Sequence, residues 1–166
     1  MDKRSFEAIE TGEEHETPGV TVTDWHVMNF AAVSMDFFEL HTNEEYARES
    51  QFGRRVAHGL LGLAMADGLK HRSSFQIEAI ASLHWSWEFC GPIHIGDTIR
   101  ARLRVAGKRA SRSKPDRGVV TVRYQVLNQH GDIVQRGENK VLVRRRQPPS
   151  TGPAGAPDRP LRAAAR

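Results

Sequence analysis

One cysteine, Cys90, occurs in 166 residues, so no internal disulfide and no cysteine-rich zinc site can be built from this chain. The expected compartment is a reducing one, the cytoplasm. No run of roughly 18 apolar residues occurs, which predicts no membrane-spanning helix. The opening stretch MDKRSFEAIETGEEHETPG also lacks the apolar core of a secretory signal. There is no internal repeat. His26, His84, His94 and His130 are scattered without the close ligand spacing of a zinc site, so no metal is expected. The basic balance sits mostly at one end: residues 144–166 hold six Arg and one Asp, a net +5, leaving the rest at −1 within the total of +4. A nucleic-acid partner is therefore not expected for the body. Residues 147–166, rich in Pro, Ala and Arg, have no periodic apolar face and are expected to form a disordered tail behind one domain over 1–146.

What is present reads as helices first and strands later. Thr23 is placed to N-cap a helix through DWHVMNFAAV, with Val27, Phe30, Ala31 and Val33 as its apolar stripe and an end near Ser34. Thr42 and Glu45 have capping-box spacing for a short helix, NEEYARES, which leaves Asp36 and His41 in a loop between helices. A helix over about residues 58–70 carries apolar or small residues on nearly every face, which predicts burial all round. Four strands follow, in IEAIASLHWSWEF, DTIRARLRVAGKR, GVVTVRYQVLNQ and DIVQRGENKVLVRRR. In the second, Ile99, Ala101, Leu103 and Val105 alternate with arginines; in the third, Val120, Val122, Tyr124 and Val126 alternate with polar residues. NQHGD reads as a tight hairpin connection and SRSKPDRG as a longer one, so neighbouring strands should be antiparallel. The expected class is α+β: a curved antiparallel sheet wrapped around one buried helix.

The residues that carry chemistry cluster in MDFFELHTNEEYARESQFGRRVAHGLL, where His41 follows Asp36 by five positions and His58-Gly59 opens the apolar helix. A carboxylate and an imidazole together can hold a water, the imidazole being the side chain that titrates nearest neutrality. A helix start offers backbone N–H groups without intrahelical partners, and at Gly59 no side chain obstructs close approach of a carbonyl oxygen. Water addition to a polarised double bond needs both halves.

MDFFELH, then FGRRVAHGLL, then EFCGPIHIGDTIRARL resemble the MaoC-like dehydratase family, which includes the (R)-specific enoyl-CoA hydratases and has the hot-dog fold. The resemblance runs from about Phe6 to Arg145. The family motif is G-D-x-N-P-x-H, followed after a short helix by an apolar residue, His and Gly. Here Met35, Phe38 and Glu39 stand for its Gly, Asn and Pro, differences that bear on pocket shape and substrate range. The resemblance implies that Asp36 and His41 hold and activate water and that the Gly59 N–H binds the thioester oxygen. It implies an acyl-CoA or acyl-carrier-protein thioester as substrate, coenzyme A entering only as part of it. No resident cofactor is implied. At least a homodimer is, with acyl pockets at the interface.

Other readings stand beside these. Asp36 is also suited to cap its own loop through Asx-type bonds, and His58 to support the helix start or meet an interface. Gly62 fits close packing. Asp67 fits either a paired polar role or a place near an acyl pocket, and Phe38 either pocket wall or core. Phe37, Trp85 and Trp87 fit core first. Arg112 and Lys114 lie in a basic loop that fits either solubility alone or contact with coenzyme A phosphates. Two other functions use the same fold: a thioesterase, whose acidic residue lies on or near the central helix, and a non-catalytic or partner subunit of a heteromeric dehydratase.

Overall fold

Register follows directly from the alternation of side chains. In the computed structural model, which describes residues 3–146, the sheet runs in the order β1 (Glu14–Glu16), β4 (Thr98–Ala110), β5 (Arg117–Leu127), β6 (Ile133–Arg144) and β3 (Ala79–Phe89). All pairings are antiparallel, and β2 (Val20–Thr21) adds to β4 beside β1. Leu103 lies opposite Tyr124 and Val105 opposite Val122, so the apolar rows of β4 and β5 share one face and are buried there. Arginines of these two strands and of β6 face outward, where Arg102, Arg104, Arg123 and Arg136 meet Glu16, Glu14, Glu138 and Glu88. The Asn128–Asp132 connection turns at Gly131, whose φ of 89° a side chain would strain.

The inward row of β6 departs from this pattern. Opposite Val126, Tyr124, Val122 and Val120 stand Gln135, Gly137, Asn139 and Val141. Two of these four are polar, and both Gln135 and Asn139 are buried.

Among the described residues, four α-helices precede or cross this face: α1 (Asp24–Ser34), α2 (Glu39–Thr42), α3 (Glu44–Glu49) and α4 (Gly59–Leu69). Thr23 N-caps α1 as the sequence predicts, its backbone N–H donating to His26 Nδ1 at 3.0 Å. Val27 and Ala31 bury the inner side of that helix, but Val33 is exposed, because the stripe turns outward in the last turn. Met35 ends the helix in the left-handed region at φ 63°, a conformation that costs a side chain roughly 1–2 kcal/mol relative to glycine.

The second predicted cap is shifted by one residue. Asn43, not Thr42, caps α3, accepting from the N–H groups of Glu45 and Tyr46. Thr42 instead closes α2, its hydroxyl donating to the carbonyls of Phe37 and Phe38. His41 consequently sits in a one-turn helix and not in the expected loop. Burial of α4 is also narrower than predicted: Leu61, Gly62, Ala66 and Leu69 are buried, while Leu60 projects outward. A single sheet covers one flank of a helix, and the other flank stays open in the isolated chain. Among the described residues, no helix is long and apolar enough to cross a membrane. The predicted tail, 147–166, lies outside the described residues.

Candidate active site

Three short segments converge at the start of α4. The left-handed turn at Met35 sends the chain back so that Asp36 faces the α4 end. Asp36 caps its own turn, its Oδ1 accepting the Phe38 N–H at 3.2 Å, and its backbone carbonyl accepts from His58 Nε2 at 2.9 Å. Among the described residues, the second carboxylate oxygen accepts no hydrogen bond. His41 donates Nδ1–H to the Val56 carbonyl at 2.8 Å. A carbonyl can only accept, so the tautomer is set and Nε2 carries the lone pair. Burial pushes the His41 imidazole below its ordinary pKa, reinforced by His58; the Val56 carbonyl and the Asp36 carboxylate pull the other way, and the net direction is downward.

His58 occupies the N-cap position of α4 without a side-chain cap bond; its ring stacks on His41 with centroids 3.8 Å apart and planes tilted by 31°. It is buried, with Phe30 on its other side at 5.1 Å. One potential ligand atom from each of Asp36, His41 and His58 lies within 4.8 Å of the other two, a spacing that a metal ion could bridge. The stacking argues against it: rings this nearly parallel would leave a shared ion out of plane for at least one of them, whereas imidazole ligands bind in plane.

Across from the imidazole lies the helix start. Leu61 and Gly62 return their N–H groups to the His58 carbonyl, and among the described residues no acceptor meets the N–H of Gly59 or Leu60. These are the orphan donors of a helix first turn. Ala57 is pinned just before them by donating to the Ile93 carbonyl at 2.7 Å. A cavity of about 700 Å³ opens here, lined among others by His41, Phe52, Gly59, Phe89, Ile93 and Gln135.

The other predicted site residues are not all brought here. Phe38 sets its edge against the His41 ring, with centroids 6.0 Å apart, and like Phe37 it is half exposed, not core. Trp85 and Trp87 are part-buried and pack on Tyr124 at 5.2 and 5.8 Å. Asp67 is ion-paired to Lys70 two turns along α4 and does not line the cavity. Arg112 and Lys114 lie in the β4–β5 hairpin. Gly118, at that end of β5, pairs with Val143, whereas Val126 pairs with the cavity residue Gln135. That separates the basic loop from the site by about 26 Å along the strand within one chain. Residues that sequence reasoning passed over include Gln135, Phe89 and Ile93. A polar residue on an inward strand position was the available sign for Gln135.

A curved antiparallel sheet laid over one central helix is the hot-dog fold. A family profile described as "MaoC like domain" matches residues 6–129, and the chain belongs to that MaoC-like dehydratase family. The (R)-specific enoyl-CoA hydratase of Rhodospirillum rubrum is 31% identical over 138 residues, covering 83% of this chain and 90% of that protein. Protein MaoC of Klebsiella aerogenes is 36% identical over 102 residues, but the match spans 61% of this chain and only 30% of that one. Among solved structures, the monoamine oxidase regulatory protein from Archaeoglobus fulgius superposes with a TM-score of 0.81 at 34% identity, covering 87% of this chain and 97% of its own. The MaoC-like dehydratase from Rhodospirillum rubrum gives 0.75 at 29% identity, covering 87% and 99%.

Proposed function

We propose that this chain adds water to a trans-2-enoyl thioester of coenzyme A, giving the 3-hydroxyacyl thioester, or runs the reverse dehydration. The observation that carries the reading is that His41, held at Nδ1 by the Val56 carbonyl with its Nε2 free, and the unpaired N–H groups of Gly59 and Leu60 border one cavity. The relative from Rhodospirillum rubrum, named for enoyl-CoA hydratase activity and matched over most of both chains, supports it.

In this mechanism the free oxygen of Asp36 and His41 Nε2 hold one water. The water oxygen bonds to C3 of the enoyl group as Nε2 takes its proton. The π electrons move toward the thioester carbonyl, whose developing oxyanion is met by the first-turn N–H groups of α4. The proton held at Nε2 then passes to C2, which restores the imidazole and leaves one water added across the double bond. A lowered His41 pKa serves this cycle, since it keeps the imidazole unprotonated near neutrality. No resident cofactor takes part.

Thioesterase chemistry is less well served, because the one acidic residue of the central helix, Asp67, is neutralised by Lys70 away from the cavity. The functional unit is a homodimer: β3 is a sheet edge eleven residues long with almost every residue exposed, and Leu83 and Phe89 on it are open apolar surface. Loss of absorbance of crotonyl-CoA and of longer enoyl-CoAs in the presence of the purified protein tests the reading. Turnover that drops by about 100-fold or more in a folded Asp36→Asn variant is expected; no hydration of any enoyl-CoA by the folded wild type refutes it.

A further inference from the structure

We infer that Gln135, backed by Trp87, is a positioning residue that holds the oxyanion-binding turn of α4 in place; this rests on the hydratase reading above. Gln135 comes from the opposite layer, the inward row of β6, and is almost fully buried, at 1% exposure. Its Nε2 donates to the Gly59 carbonyl at 3.0 Å, and its Oε1 accepts Trp87 Nε1–H at 3.1 Å. An indole N–H can only donate and a carbonyl can only accept, so the amide orientation is fixed by its partners. The chain therefore runs one way, Trp87 to Gln135 to Gly59, and a bond received at Oε1 strengthens the donor at Nε2.

The end of that chain is chemically specific. The Gly59 carbonyl shares its peptide plane with the Leu60 N–H, and the preceding peptide carries the Gly59 N–H. Both N–H groups lack acceptors, while the next two in the helix are spent on the His58 carbonyl. A bond to the Gly59 carbonyl thus fixes the orientation of the free donors. It also draws electron density toward that oxygen, making the Leu60 N–H a better donor.

Space is reserved for the amide. A Cβ at Gly62 would stand 2.4 Å from Gln135 Nε2 and 2.7 Å from its Oε1, so the helix can rest on Gln135 only because position 62 has no side chain. Burying an amide costs free energy unless both its ends are paired, and an apolar side chain in this row would avoid that cost. Gln135 meets that condition at both ends and borders the same cavity as Gly59 and His41.

Three variants test the assignment: Gln135→Met removes both bonds, Gln135→Glu keeps the acceptor for Trp87 but sets a carboxylate against the Gly59 carbonyl, and Trp87→Phe removes only the far donor. Circular dichroism and thermal melting report folding, and enoyl-CoA hydration gives kcat and KM separately. The expected result is a kcat lowered about tenfold or more in both Gln135 variants, with KM within about twofold. Trp87→Phe lowers kcat less, and adding it to Gln135→Met lowers kcat no further, because the two act through one chain. The second readout is the carbonyl stretch of bound butyryl-CoA, a saturated ligand that is not turned over. In the wild type it lies below its frequency in water, and in the Gln135 variants that lowering shrinks, a change that loss of packing alone does not produce. If Gln135→Met does not fold, Gln135→Glu and Trp87→Phe decide the matter by the same two readouts. An active wild type with kcat and carbonyl frequency unchanged in the folded variants overturns this inference alone. A wild type that hydrates no enoyl-CoA overturns it together with the hydratase reading.

Discussion

Replacing Gly59 by alanine separates the stability of the helix start from its chemistry. The backbone at 59 does not need glycine, since its φ is not positive, and alanine is favoured in helices by up to about 1 kcal/mol. The added methyl would stand 2.7 Å from Phe89 Cε1 and 2.9 Å from Cδ1. Ordinary carbon contacts lie near 3.5–4.0 Å, so the ring must retreat by about 1 Å. Phe89 is 58% exposed at the end of β3 and borders the cavity, which gives the ring room to move. Net stability should change by no more than about 1 kcal/mol, a shift in Tm of roughly 4 °C. Activity should not survive as well: the methyl and the displaced ring occupy the space before the first-turn N–H groups, and loss of one oxyanion donor typically lowers kcat by about 100- to 1,000-fold. Gly62→Ala is the contrasting control. There the Cβ meets Gln135 and, at 2.7 Å, Ile93 Cδ1, both buried, so overpacking should cost roughly 1–3 kcal/mol. Thermal melting and hydration assays on both variants check this. A Gly59→Ala protein with wild-type kcat/KM would refute the placement of the thioester oxygen at this turn.

Two further expectations concern the imidazole and the sheet edge. Because the folded environment lowers the His41 pKa below 6.5, its base form persists into mildly acidic solution, and kcat/KM should fall only as the pH drops through that lowered value; an acid-limb midpoint at or above neutrality contradicts this. The protein should elute and scatter light as a dimer at micromolar concentration, and a Leu83→Lys change on the exposed edge strand should raise the monomer fraction; a single-chain mass for the wild type refutes the pairing.

Much of the architecture was legible because strand alternation is a local property. The inward rows Ile99–Val105 and Val120–Val126 were readable from period 2 alone, and the observed register places them face to face. Of the two predicted helix caps, Thr23 forms and the second is displaced by one residue. Asn43 and Thr42 are neighbours with interchangeable capping chemistry, and the choice went to Asn43 because the Thr42 hydroxyl was taken up by the carbonyls of Phe37 and Phe38. The central helix looked buried on every face because hydropathy does not tell cover supplied by the chain itself from cover supplied by something else.

The sequence by itself determined the class of fold and the order of its main helices and four long strands, since these depend on side-chain periodicity, and it put forward the Asp36–His41–Gly59 set on which the proposed reaction rests. Only the tertiary structure decided which nitrogen of His41 is free, because that depends on the Val56 carbonyl fifteen residues away. It alone brought Gln135, 76 residues from Gly59, beneath the helix start, and carried Arg112 and Lys114 to the far end of the strands. Hydrogen-bond partners across layers are fixed by packing in three dimensions, and no local pattern in the chain encodes them.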